Sequence, residues 1–223
     1  MRLEADNVSV ARGSQIFFSG ISFSLAAGEA LIVSGPNGVG KSTFLRVLAG
    51  LLPNLDGSVA LHDSPFASAA EGAHYLGHRN GMKAELTVRE NLEFWRSFMA
   101  APDAVRTKTD ASVLEAIAMV GLDGIDYLPF GYLSAGQQRR IAMARLLTVH
   151  RPVWILDEPT AALDSRARDR FADLVSDHLA SDGIVVAATH QDLGISGARE
   201  LALVPGAQAQ MGSRGPSLSE APA

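Results

Sequence analysis

Gly35-Pro36-Asn37-Gly38-Val39-Gly40-Lys41-Ser42-Thr43 decides the fold. The stretch follows a short apolar run, Ala30 to Ser34, and leads into apolar residues at helical spacing from Phe44 to Leu52, which Pro53-Asn54 stops. A glycine-rich turn between a strand and a helix is the context in which a G-x-x-x-x-G-K-S pattern forms a phosphate cradle. Its glycines let successive backbone N–H groups curl around phosphate oxygens. The helix N-terminus adds positive potential. Lys41 neutralises β/γ-phosphate charge, and the Ser42 hydroxyl is a magnesium ligand. The pattern therefore predicts a nucleotide phosphate chain with Mg²⁺, and an α/β domain of the P-loop class.

The next informative stretch is Val153-Trp154-Ile155-Leu156-Asp157-Glu158. A continuous apolar run of this length reads as a parallel strand covered on both faces. It ends in two acids. Asp157 is placed to hold the magnesium shell and Glu158 to polarise an attacking water. Alone, such an ending also suits an acidic helix cap; behind a phosphate cradle it gains weight.

Between these motifs stands Leu133-Ser134-Ala135-Gly136-Gln137, a capping-box sequence that opens a helix running to about Val149. It resembles the signature of the ATP-binding-cassette (ABC) ATPases. Pro159 to Asp164 looks like that family's D-loop, and Thr189-His190-Gln191 like its switch histidine. Five motifs in family order cover nearly the whole chain. The resemblance implies a P-loop ABC nucleotide-binding domain with an antiparallel β portion and an inserted α-helical subdomain. It also implies two copies sandwiching two ATP molecules, with Ser134, Gly136 and Gln137 of one copy facing the cradle of the other. Lys41, Ser42, Asp157, Glu158 and His190 would then carry hydrolysis. The partners implied are integral membrane subunits, docking between His78 and Trp95.

Two departures sharpen the resemblance. Where the family places a glutamine, Tyr75-Leu76-Gly77-His78 brings a histidine. The signature continues Ser-Ala-Gly-Gln-Gln-Arg-Arg. Together these are similar to the ATP-binding subunits of haem export in bacterial cytochrome c maturation. That implies a peripheral subunit on the cytoplasmic face of the inner membrane, linked indirectly to a haem chaperone; an ATPase of another ABC exporter or importer is the alternative. His78 joins Glu158 and His190 as a catalytic candidate, and Ser42 and Asp157 as a metal candidate. Imidazoles titrate near neutrality, so activity is expected to fall below about pH 6.5. The family stacks adenine on an aromatic residue after the first strand. The matching place here is Ala11-Arg12, so the Arg12 guanidinium plane is the expected platform, with Phe17 or Phe18 as substitutes. His62 and His74 read as surface or structural histidines.

Composition narrows the rest. The 223 residues carry 47% hydrophobic and 19% charged residues, which suits one domain with an inserted lobe. Net charge is −5 with a pI near 5.6, so a role coating nucleic acid is unexpected. There is no cysteine, which excludes a thiol nucleophile and cysteine-ligated metal. Of 19 basic residues 16 are arginine, so Lys41 stands out. No apolar run approaches the roughly 20 residues that span a bilayer, and acids near the N-terminus do not suit a signal peptide. No Asn-Lys-x-Asp guanine-reading motif is present. The ABC domain is expected over 1–205, with the helical insertion at about 79–145 and a disordered tail over 206–223. Within the insertion, Thr87 to Glu90 is a capping box with Val88, Leu92, Trp95 and Met99 on one face. Asp110 is the expected cap of a second helix with Val113, Leu114 and Ile117 inside.

Overall fold

The computed structural model describes residues 1–12, 15–100, 110–191, 193–204 and 210–213, with the backbone alone at 11–12, 15–16 and 210–213. Three strands form an antiparallel sheet: β1 (Arg2–Arg12), β2 (Gln15–Ala26) and β4 (Asp56–His62), in the order β2-β1-β4. Six more form the central sheet: β3 (Ala30–Ser34), β5 (Ala73–Leu76), β6 (Val153–Asp157), β7 (Ile184–Ala188), β8 (Arg199–Ala202) and β9 (Gln210–Ser213). Their order is β5-β6-β7-β3-β8-β9, parallel except for β9.

The apolar runs of β3, β6 and β7 are buried along their length because both sheet faces are covered. Alternation divides them between two cores. Ile32, Trp154, Leu156 and Val185 face helices α2 (Val88–Phe98), α3 (Val113–Met119), α4 (Ala135–Thr148) and α5 (Ser165–Ala180). Leu31, Val33, Ile155 and Val186 face helix α1 (Lys41–Leu48) and the antiparallel sheet, where Phe44 meets Phe18 and Phe23 edge to face.

Strand register then sets the position of the functional loops. Leu76 pairs with Leu156, Asp157 with Ala188, and Ala188 with Val33. The loops that follow β3, β5, β6 and β7 thus leave the sheet at one level. This is the carboxyl edge, where open α/β sheets bind ligands.

Helices α2, α3 and α4 form where helices are expected, with two corrections. Thr87 and Ser134 cap α2 and α4 through complete capping boxes. Helix α3 is capped by Ser112, with Glu115 reaching back, and not by Asp110. Asp110 instead accepts a hydrogen bond from the His150 amide at 2.7 Å, tying the start of this segment to the end of α4. Leu114 is exposed while Val113 and Ile117 are buried. Residues 210–213, in the stretch read as a tail, form β9. Strand β8 would otherwise present an open edge of backbone N–H and C=O groups, and β9 satisfies it in antiparallel register. The remainder of 206–223 lies outside the described residues.

Candidate nucleotide-hydrolysis site

The phosphate cradle is built by glycine. Gly35, Gly38 and Gly40 have φ of 135°, 82° and 107°. A Cβ on Gly35 would stand 2.6 Å from the carbonyl oxygen of Leu203, the residue after strand β8, which leaves no room for a side chain there. Gly40 occupies the N-cap of α1 and no side chain caps that end. The positive end of α1 is thus left for an anion, as phosphate-binding helices require. Lys41 folds back over the turn, donating to the carbonyls of Gly35 at 2.6 Å and Pro36 at 3.2 Å.

Strand β6 supplies the acids. Ser42 donates to Asp157 Oδ1 at 3.1 Å, joining the first turn of α1 to the end of β6. Asp157 is buried, and Tyr75 on β5 donates to its Oδ2 at 3.2 Å. Arg46 donates in turn to the Tyr75 hydroxyl at 3.3 Å. Burial and the adjacent Asp157 charge push the Tyr75 hydroxyl above its ordinary pKa, so it remains protonated and a donor. Glu158 follows with φ of 45°, a left-handed conformation uncommon outside glycine. Its amide donates to the Ala188 carbonyl at 2.8 Å, which fixes the turn to the end of β7.

His190, two residues beyond β7, closes the group. Its Nε2 lies 3.2 Å from Asn37 Oδ1, 3.4 Å from Lys41 Nζ and 3.6 Å from Glu158 Oε1. The fold thereby brings together Asn37, Lys41, Ser42, Asp157, Glu158 and His190. Hard oxygen donors at Ser42 and Asp157 suit Mg²⁺, which binds through one or two carboxylates plus substrate phosphates and water. Among the described residues no group of three His, Cys, Asp or Glu could hold a metal by itself.

Other expected residues lie apart. Ser134 is the exposed N-cap of α4; its hydroxyl accepts from the Gln137 amide at 3.2 Å, and the Gln137 side chain returns to the Ser134 amide at 2.9 Å. Gly136 packs against the D-loop, where a Cβ would meet the Ala162 carbonyl oxygen at 3.0 Å. No hydrogen bond joins Ser134, Gly136 or Gln137 to the cradle among the described residues. His78 is exposed on the loop after β5, and no hydrogen bond ties its ring to Asp157 or Ser42. The Arg12 side chain lies outside the described residues. Phe18 is core, 2% exposed, which removes it as a base platform. Phe17 is half-buried and packs against Gly40. His74 is buried with Nε2 2.7 Å from the Val149 carbonyl, and His62 pairs with Glu4.

Two residues escaped sequence reasoning: Tyr75 and Arg139. Arg139 had a signal. With Ala142, Met143 and Leu146 it follows i, i+3, i+4, i+7 spacing along α4, so a charge stands in an apolar stripe. Tyr75 had none, because a tyrosine in a short strand is ordinary.

This P-loop core with its antiparallel sheet and helical lobe is that of an ATP-binding cassette. The chain belongs to the ABC transporter family, whose profile matches residues 18–161, and it is an ATPase. It is 58% identical to the "cytochrome c biogenesis ATP-binding export protein CcmA" of Rhizobium meliloti strain 1021, over 90% of this chain and 97% of that one. It is 52% identical to the protein of the same name from Mesorhizobium japonicum, over 89% and 96%. Among solved structures, an ATP-binding cassette in a dimeric post-hydrolysis state bound to ADP and Pi superposes with a TM-score of 0.76 at 25% identity, over 96% of this chain and 99% of that one. An ATP-binding protein from Pyrococcus furiosus shares the fold, with a TM-score of 0.75 at 22% identity, over 91% and 98%.

Proposed function

We propose that this chain is the ATP-hydrolysing subunit of an ABC complex serving cytochrome c maturation, where its cycle drives release of a haem-loaded chaperone. Similarity over nearly the full length of the export proteins named above carries the biological assignment. The convergence of Lys41, Ser42, Asp157, Glu158 and His190 carries the chemistry.

Lys41 exchanges its carbonyl partners for β/γ-phosphate oxygens. Ser42 and Asp157 hold Mg²⁺, which would supply charge neutralisation at the phosphates. Glu158 accepts a proton from the attacking water, and His190, beside Glu158 and Lys41, orients the γ-phosphate. A second copy provides the exposed Ser134 and the half-buried Gly136 to close the site. The Arg12 guanidinium or Phe17, which packs against Gly40, carries the adenine.

The membrane subunits dock on the cytoplasmic side against the loop bearing His78 and the outer face of α2. Phe94 and Phe98 are exposed there and stack with centroids 6.0 Å apart. Trp95 ties α2 to that loop by donating to the Gly81 carbonyl at 2.8 Å. Among the described residues no helix is long and apolar enough to cross a membrane, so coupling requires such partners. His78 sits at this junction and relays between it and the catalytic acids. Pull-down of this chain from membranes, followed by identification of the membrane proteins retained and ATPase assay, tests the reading. Co-purification with stimulated hydrolysis that is lost in Glu158→Gln is expected. Hydrolysis surviving in Glu158→Gln would contradict the assigned base; partners unrelated to cytochrome c assembly would point to a different export or import system.

A further inference from the structure

The guanidinium of Arg139 is buried, with 4% exposure, and all five of its N–H donors are used. Nε donates to the Pro159 carbonyl at 2.8 Å. One terminal nitrogen donates to the carbonyls of Asp157 at 3.1 Å and Glu158 at 2.8 Å. The other donates to the Gly77 carbonyl at 2.7 Å and to Asn80 Oδ1 at 3.3 Å. A planar fork thus gathers three consecutive carbonyls of the catalytic turn on one side and two acceptors of the His78 loop on the other. Lysine cannot reproduce this, since its three donors radiate from a single point.

Elsewhere a buried cation is usually paired with a carboxylate. Here the direct partners are neutral, while the charges of Asp157 and Glu158 act through space, partly offsetting the burial that lowers the Arg139 pKa. The three carbonyls flank the residue with the left-handed φ, and an uncommon backbone of that kind persists only where its surroundings fix it. Arg139 also sits one turn into α4, whose first residues carry Ser134 and Gly136.

We infer that Arg139 is a positioning residue that holds the backbone of Glu158 and ties it to the Gly77–Asn80 loop, so that the membrane partner acts on the catalytic acid through this guanidinium. The inference rests on Glu158 being the catalytic base and on docking at the His78 loop. It needs no contact between Arg139 and nucleotide.

The test uses the full chain and its complex with the membrane subunits. For wild type, Arg139→Gln, Arg139→Lys, Asn80→Ala and Glu158→Gln, one measures kcat and KM for ATP, Kd for a fluorescent ATP analogue, and the ratio of complexed to free-chain hydrolysis. Arg139→Gln is expected to lower kcat about tenfold or more, matching loss of hydrogen bonds to a charged group, with Kd nearly unchanged. Arg139→Lys should recover only part of kcat. Asn80→Ala removes one acceptor of the loop arm, and should leave free-chain hydrolysis intact while reducing stimulation by the membrane subunits. Wild-type kcat in Arg139→Gln, or wild-type stimulation in Asn80→Ala, would overturn the inference. Should Arg139→Gln fail to fold, Asn80→Ala decides. Hydrolysis persisting in Glu158→Gln would bring down the underlying assignment; loss in Glu158→Gln with wild-type behaviour of the Arg139 and Asn80 variants would bring down the brace alone.

Discussion

Ser42 and Asp157, 115 residues apart in the chain, meet through a 3.1 Å hydrogen bond from the serine hydroxyl to Oδ1. The other carboxylate oxygen is held by Tyr75 at 3.2 Å. Both oxygens of the acid proposed to hold magnesium therefore have fixed directions. Outer partners of metal-binding carboxylates typically tune affinity by about 10–100-fold. Tyr75→Phe is expected to raise the Mg²⁺ concentration for half-maximal ATPase within or somewhat below that range, with little change in kcat at saturating metal. A magnesium titration checks this, and an unchanged midpoint would remove Tyr75 from the metal site.

Gly35 and Gly38 separate backbone strain from crowding. Both have positive φ, but only Gly35 faces a neighbour, the Leu203 carbonyl, where a Cβ would stand at 2.6 Å; nothing lies within 4 Å of a Cβ on Gly38. Gly38→Ala should cost about 1–3 kcal/mol from conformation alone, and Gly35→Ala clearly more. Denaturant unfolding of both variants measures the difference. Equal losses would contradict the packing of Leu203, just after β8, against the cradle.

Acid should destabilise the fold through two histidines. Burial, the largest cause, lowers His74 to about 3 and His178 to about 4; neighbouring positive or titrating groups lower them further, while backbone hydrogen bonds act the other way. His178 stacks on Trp154 with ring centroids 4.0 Å apart. Their folded pKa values lie below the unfolded value near 6.5, so the unfolded chain binds protons first. Stability from these neutral rings is complete above about pH 6.5 and is lost as pH falls from there toward 3–4. At pH 5.5 each ring should cost on the order of 1 kcal/mol relative to neutral pH. Thermal melts at pH 7.5 and 5.5, repeated with His74→Gln, read this; the same pH sensitivity in the variant would exclude His74.

The proposal that two copies share their active sites makes a complementation prediction. Lys41→Ala disables the cradle and Ser134→Arg the signature, so each variant alone should be inactive. Mixed in equal amounts, about half the dimers would be mixed and each would hold one intact site, giving up to about a quarter of wild-type hydrolysis. No recovery, with dimerisation of both variants demonstrated, would argue against sites built in trans.

The site was legible in the sequence where chemistry is local. The cradle declares itself through glycines at fixed spacing, because positive φ and close backbone approach leave few alternatives. The acids of β6 read only in company: a buried strand often ends in an acidic helix cap, and the phosphate cradle upstream gives the pair its weight. The boxes at Thr87 and Ser134 also read directly, since the side chain and the amide it binds are three residues apart. Long-range partners did not show. Tyr75 reaches Asp157, and Arg139 reaches Gly77, only because β5 lies beside β6 and α4 crosses behind them. The cap of α3 was misassigned because Asp110 and Ser112 are both good caps; the glutamate three residues after Ser112 completes a box that Asp110 lacks. Strand β9 stood hidden in a polar stretch because an edge strand needs backbone pairing more than apolar side chains.

The central claim, that hydrolysis at Glu158 drives cytochrome c maturation, is tested most directly by the covalently bound haem in membranes of cells carrying Glu158→Gln. The account predicts loss of haem-stained c-type cytochromes, with a haem-loaded chaperone accumulating. Wild-type cytochrome levels, in cells that express the variant and carry no second copy, would contradict it.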